Sequence, residues 1–389
     1  MNAGRDPHGR DVRSHPEGRM SAEHCRLVDD LGTLVKCESP SADLAAVARS
    51  AEVVAELGRR LTDADPERIV LDGRTHLRWR FGGGDRVLLL GHHDTVWPIG
   101  SLTDCPWRLS DGRAYGPGCF DMKAGLVQLF HALAGQDDLA GVTVLVTGDE
   151  ELGAPSSRPL IEAEAQRAAA VLVCEGSADG GALKTARSGI AQYELRVSGR
   201  AAHAGLEPWA GVNAATELAH QVLALAELGA NDGPGGTTVT PTVLSAGTTT
   251  NTVPANATVH VDVRVPTRAE QRRIDSAVRA LQPRLAGARL EVVAGPSHPP
   301  LEAGSSRTLY ELAEHIAAEL GIGPLGSAHV GGASDGNIAA GTGARVLDGL
   351  GAVGGGAHSN GEHVLVAELK RRTVLLARLV ATLRGHHGQ

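Results

Sequence analysis

Residues Leu88–Trp97 read LLLGHHDTVW, an apolar run that ends in two histidines and an aspartate. Three leucines in succession leave no polar face. The segment therefore reads as a strand buried on both sides, the kind found inside a parallel sheet. Beyond Gly91, alternate residues of an extended chain point the same way. His92 and Asp94 thus share one face, and His93 points to the other. A carboxylate beside an imidazole orients the ring and raises its basicity, as it does around metal ligands. A polar strand end with no such role has the same spelling.

Working outward, similar runs alternate with helical patterns. THLRWRF, RVLLLGHH, VTVLVTGDEE and AAVLVCEGS read as strands. Two amphipathic helices lie in residues 27–61, one starts at Ala124, and one lies near Pro159–Arg167. Strands alternating with helices predict an α/β fold with a mostly parallel sheet covered on both faces. The pattern changes near Ser188. IAQYELRVSGR, TTVTPTVLSAG, ANATVHVDVRV and ARLEVVA alternate as strands, with helices GVNAATELAHQVLALAEL and RAEQRRIDSAVRAL among them. That β-α-β-β-α-β order predicts an inserted α+β body of the ferredoxin-like type. The expected division is a disordered tail over 1–20, a catalytic domain over 21–188 and 299–389, and an inserted domain over 189–298.

Composition agrees. At 389 residues the chain exceeds the roughly 250–300 at which a single core stops growing, so two domains are expected. A net charge of −8 argues against a nucleic-acid surface, which needs clustered Lys and Arg. No apolar run approaches the roughly 20 residues needed to span a bilayer. The polar segment before Met20, itself an alternative start, contains no signal-peptide core. The five cysteines are scattered, odd in number and free of any C-x-x-C pair, which predicts reduced thiols in a cytoplasmic protein.

Several further segments carry chemistry. Asp121 lies in the Gly/Pro-rich turn GPGCFDMKAG ahead of a helix, where capping is the plain alternative. Asp149, Glu150 and Glu151 follow an apolar strand directly, and three adjacent acids repel unless a cation is near. Glu175 ends another strand, and GAHSNGEHV offers His358 and His363. Strand ends are where open α/β sheets place ligands. Mixed imidazole and carboxylate donors suit Zn2+ or a similar ion, and five of them with one shared carboxylate suit two ions about 3.5–4 Å apart.

The ordered set HHDTV, GPGCFDMKAG, TGDEELG, CEGS, GRAAHAG, TNTVP, DVR, GGASDGN and HSNGEHV resembles the aminoacylase/carboxypeptidase family of two-zinc metallopeptidases, with its nearest pattern in the glutamate carboxypeptidases. The resemblance implies a zinc-exopeptidase fold with an inserted dimerisation domain. It implies two Zn2+ per chain, with Mn2+ or Co2+ as alternatives. His92 and Glu175 would hold one ion, Glu151 and His358 the other, and Asp121 both. Asp94 would stand behind His92, and the Asp121–Met122 peptide would be cis. Glu150 would be the general base acting on a metal-bridging water. His203 would serve the partner subunit's oxyanion in a homodimer, although Ala202 stands where the family usually has Ser. Asn251, Arg264 and Ser334 would contact substrate, with Arg264 a fork for a carboxylate rather than a structural partner of Asp262 on its own strand face. The implied reaction is hydrolysis of an amide next to a free carboxylate, in a small molecule or short peptide.

Two rivals remain. Gly332-Ala333-Ser334-Asp335-Gly336 fits G-x-S-x-G, and Asp348 and His358 follow in the order of a serine hydrolase. That reading leaves Asp94 and Glu150 without a role. A non-catalytic scaffold would be expected to have lost the base or a ligand, and here all are present.

Overall fold

The strand Val87–His92 lies inside a six-stranded sheet, with Val142–Thr147 on one side and Ala170–Val173 on the other, both parallel to it. The computed structural model describes residues 22–229 and 235–385, so the expected tail over 1–20 lies outside the described residues. Every residue of the strand is buried because the two faces feed different cores. Val87 and Leu89 pack with the helices Ala22–Lys36, Leu44–Thr62, Ala124–Ala134, Ala303–Glu319 and Val366–Gly385. Leu88 and Leu90 pack with Arg158–Arg167 and Asp335–Gly341. Each fully buried leucine contributes roughly 1.5–3 kcal/mol. Parallel Val346–Leu347 closes one edge, and an antiparallel hairpin, Glu67–Leu71 with Arg74–Arg80, extends the other.

The inserted body forms as the alternation predicts. Its antiparallel sheet runs Thr238–Ala246, Asn256–Val265, Gly189–Ser198, Arg289–His298. Ala191, Tyr193, Leu195 and Val197 face a separate core with helices Ala214–Ala226 and Arg268–Arg279, while Glu194 and Arg196 pair on the opposite face. Asn213 and Thr267 cap the two helices by accepting from their first-turn N–H groups. The whole is an α/β fold with a mostly parallel central sheet and an inserted α+β body.

Several strands carried no readable pattern. Arg108–Ser110, Arg113–Tyr115 and His363–Leu365 are three residues each, too short to alternate. Leu183–Arg187 exists by pairing in parallel with the distant Ser327–Val330. No helix among the described residues is long and apolar enough to cross a membrane.

Candidate metal centre

Three parallel strands deliver their C-terminal ends to one place. Val87–His92 ends on His92, Val142–Thr147 runs into the turn at Glu150–Leu152, and Ala170–Val173 leads to Glu175. Asp121 arrives on a separate loop, through a cis peptide to Met122. Gly125 then lets the following helix press against that strand end, since a Cβ there would meet the Cys174 carbonyl at 1.8 Å. His358 arrives from the C-terminal loop with φ 60°.

Asp94, fully buried, ties the first two strand ends together. It accepts from Ser41 Oγ at 2.7 Å and from the backbone N–H groups of Glu150 at 3.3 Å and Glu151 at 3.2 Å. His92 Nδ1 lies 3.0 Å from the Asp94 carbonyl and 3.4 Å from its Oδ1. Those acceptors keep the proton on Nδ1 and turn a bare Nε2 inward.

Around Nε2 stand Asp121 Oδ1 at 3.3 Å, Glu175 Oε1 at 3.3 Å and Glu150 Oε2 at 3.9 Å. The other oxygen of Asp121 lies 3.3 Å from His358 Nε2, which is 3.4 Å from Glu151 Oε2. Donor atoms of His92, Asp121 and Glu151 lie within 4.8 Å of one another, as do those of His92, Glu150 and Glu175. Geometry alone therefore offers Glu150 as a donor as well as a base.

The charges favour a cation. His92 Nε2 and Glu151 Oε1 are buried without any hydrogen-bond partner, which is costly for polar atoms unless something electrophilic stands between them. Burial opposes charge on His92, yet Asp121, Asp94 and Glu175 raise its proton affinity well above an ordinary histidine. Asp121 and Glu151 push His358 up to about 10. Burial pushes Glu150 well up; His92 opposes, and Glu175, Asp335 and Glu151 add to it. Five carboxylates share this cleft with two imidazoles, an arrangement that divalent ions would neutralise. The residues fit a two-ion centre.

Of the remaining expected residues, none touches this cluster. Ser334 caps helix Asp335–Gly341, and its hydroxyl donates to Asp348 Oδ2 at 2.7 Å with the residue 4% exposed. The side chain is therefore a cap and not an available substrate contact. The serine-hydrolase reading fails with it, because His358 stands among the carboxylates instead of beside Ser334. Arg264 does form the structural pair with Asp262 that the expectation of an open fork had set aside. Its guanidinium forms a two-bond pair with Asp262, Nε to Oδ1 at 2.7 Å and Nη2 to Oδ2 at 3.0 Å, because neighbours two apart on a strand share a face. Its Nη1 reaches the Gly331 carbonyl at 3.3 Å. His203 and Asn251 meet on an exposed corner of the inserted body, where the Ala204 N–H donates to the Asn251 carbonyl.

His93 turns away as expected, lying 3.0 Å from the Thr75 carbonyl, and burial lowers it to about 4. Asp149 accepts from Ser156 and Ser157 and shapes the turn that presents Glu150 and Glu151. Sequence reasoning missed Ser41, Arg187 and Glu362. Arg187 pairs with buried Asp348 at 2.7 Å and holds Nη2 3.7 Å from Glu175. Lys184 Nζ also lies 3.9 Å from Glu175. Glu362 stood inside HSNGEHV, with nothing in its spacing to single it out.

The chain is also similar to known proteins along most of its length. The model of peptidase family M20/M25/M40 matches residues 88–382. The chain is 32% identical to carboxypeptidase G2 of Pseudomonas sp. (strain RS-16), over 93% of this chain and 90% of that one. It is 28% identical to acetylornithine deacetylase of Myxococcus xanthus, over 85% and 88%. Among solved structures, the M20 family metallo-carboxypeptidase Sso-CP2 from Sulfolobus solfataricus superposes with a TM-score of 0.71 at 16% identity, covering 94% of this chain and all of that one. A dinuclear metal binding M20 peptidase from Bacillus subtilis gives 0.63 at 15%, covering 93% and 98%.

Proposed function

The chain belongs to peptidase family M20/M25/M40 and is an amidohydrolase; we propose that it cleaves an amide bond adjacent to a free carboxylate. The products are a C-terminal amino acid such as glutamate, or the free amino acid of an N-acyl derivative. The observation that carries this reading is Asp121, whose two carboxylate oxygens face His92 and His358 separately. The identity to carboxypeptidase G2 favours the first class of substrate, and the likeness to a deacetylase keeps the second in view.

In this reading His92, Asp121 and Glu175 would hold one divalent ion, and Asp121, Glu151 and His358 would hold the other. Zn2+ suits the donor set, with Mn2+ or Co2+ as alternatives. Such ions acidify water and polarise an amide carbonyl. Asp94 fixes the His92 ring. Glu150 takes a proton from the attacking water and passes it to the leaving amine. Its raised proton affinity suits a group that must hold that proton in transit. Glu150 remains free for this if Glu175 occupies the coordination position that both approach.

The inserted body supplies the rest in a homodimer. His203 Nδ1 accepts from the Gly205 and Leu206 N–H groups at 3.1 Å, so its proton sits on the exposed Nε2. That Nε2–H donates to the oxyanion forming in the partner's site, and Asn251 stands beside it. Arg264 takes the substrate carboxylate by exchanging Asp262 for it. Exposed Leu206, Trp209, Val243 and Leu244 on the same body offer apolar area to a second copy.

The test is hydrolysis of a panel of N-acyl and peptidyl amino acids with and without a chelator. Activity confined to substrates with a free carboxylate, lost on chelation and restored by Zn2+, is the expected outcome. Chelator-resistant turnover sinks the proposal.

A further inference from the structure

Glu362 is 2% exposed, and among the described residues no cation lies within ion-pair distance of it. An isolated buried carboxylate is costly unless its lone pairs are fully met. Here they are met by four N–H donors from two loops. Oε1 accepts from the backbone N–H of Phe120 at 2.9 Å and of Asp121 at 3.0 Å. Oε2 accepts from the Gly118 N–H at 2.9 Å and the Trp97 indole at 2.8 Å. Gly118 adopts φ 70°, a left-handed conformation that glycine accepts without penalty and that sets the loop before Asp121.

Glu362 also follows His358 by four residues in a loop closed on itself. Ser359 N–H donates to the Gly356 carbonyl and Glu362 N–H to the Ser359 carbonyl. Directly afterwards His363–Leu365 pairs with Arg113–Tyr115, on the segment that leads to the Asp121 loop. One carboxylate thus joins the loop that carries His358 to the loop that carries Asp121.

We infer that Glu362 is a positioning residue that sets the separation of Asp121 and His358 and so fixes the affinity of the second metal ion. The inference rests on the assignment of those two residues to that ion. Its action is mechanical. The carboxylate holds the Asp121 backbone by the residue's own N–H, so the bridging side chain starts from a defined point when an ion binds. Neutral glutamine has the same shape but only one acceptor atom, and its amide group would face two N–H donors.

Co2+ titration followed by visible absorbance, with elemental analysis of the bound metal, reads the two sites in the full-length protein. Glu362→Gln is expected to weaken the second ion about 10–100-fold and leave the first unchanged. Trp97→Phe removes a single donor, keeps the carboxylate and is expected to weaken the same ion less. His358→Ala serves as the reference that loses the second ion. A purely structural Glu362 would instead lower the melting temperature of the metal-free protein and leave both affinities alone. Wild-type second-ion affinity in the Glu362→Gln and Trp97→Phe variants, with one ion lost in His358→Ala, overturns this inference alone. If Glu362→Gln does not fold, an unshifted Trp97→Phe overturns it by itself. A wild-type protein that binds only one ion overturns the two-ion assignment and this inference together.

Discussion

Asp121 Oδ1 lies 3.3 Å from His92 Nε2, and Asp121 Oδ2 lies 3.3 Å from His358 Nε2. One carboxylate thus faces two imidazoles that stand 266 residues apart in the chain. A side chain in that position can serve two groups of donors at once, as the proposed two-ion reading requires.

In that reading the two groups of donors are separable. His358→Ala should leave about one ion per chain by elemental analysis, whereas Asp121→Asn should weaken both ions, since each loses a shared anionic donor. Equal loss of both ions in His358→Ala would refute the division into two sets.

In the proposed function Glu150 transfers a proton and does not hold a metal ion. Glu150→Gln should lower kcat by about 10²–10⁴-fold while metal content stays near two ions per chain. A variant with unchanged turnover, or one that loses an ion, places Glu150 in the other role.

Ser334 is a helix cap. Ser334→Ala should cost about 1–2 kcal/mol in urea unfolding and leave most of the turnover in place. Near-total loss of activity in a folded variant would restore the nucleophile reading.

Arg187 and Asp348 form a buried pair at 2.7 Å, 4% and 0% exposed. Arg187→Met strands the carboxylate without its partner and should destabilise the protein by about 3–5 kcal/mol in denaturant unfolding. A loss below about 1 kcal/mol, the range of exposed pairs, would mean that solvent reaches Asp348.

Burial, aided by Arg158, lowers His298 to about 4, below its ordinary 6.5. Between those values the unfolded chain takes up a proton that the folded chain refuses. The stability held above pH 6.5 is therefore lost as pH falls towards 4, by on the order of 3 kcal/mol at most. Unfolding midpoints of the wild type and His298→Asn, compared from pH 7.5 to 4.5, should show the shallower acid slope in the variant. Parallel slopes would contradict the assignment.

Local pattern and covalent order were enough to read much of this protein. The unbroken apolar run before His92 announced a doubly covered strand, and the β-α-β-β-α-β order announced the inserted body, because periodicity is written residue by residue. The acids after Val146 and the histidine after Leu90 were visible as strand-end polar groups for the same reason. Long-range approach left no such mark. Nothing near Glu362 in the sequence says that its carboxylate meets the N–H groups of Gly118, Phe120 and Asp121. The strand pattern put Arg264 and Asp262 on one face without deciding whether they would pair, and it gave no sign that Ser334 would spend its hydroxyl on Asp348. Sequence by itself determined which residue types stand at which strand ends. The tertiary structure alone decided which of their lone pairs and protons are already spoken for, since hydrogen-bond partners are chosen by distance in space and not by distance along the chain.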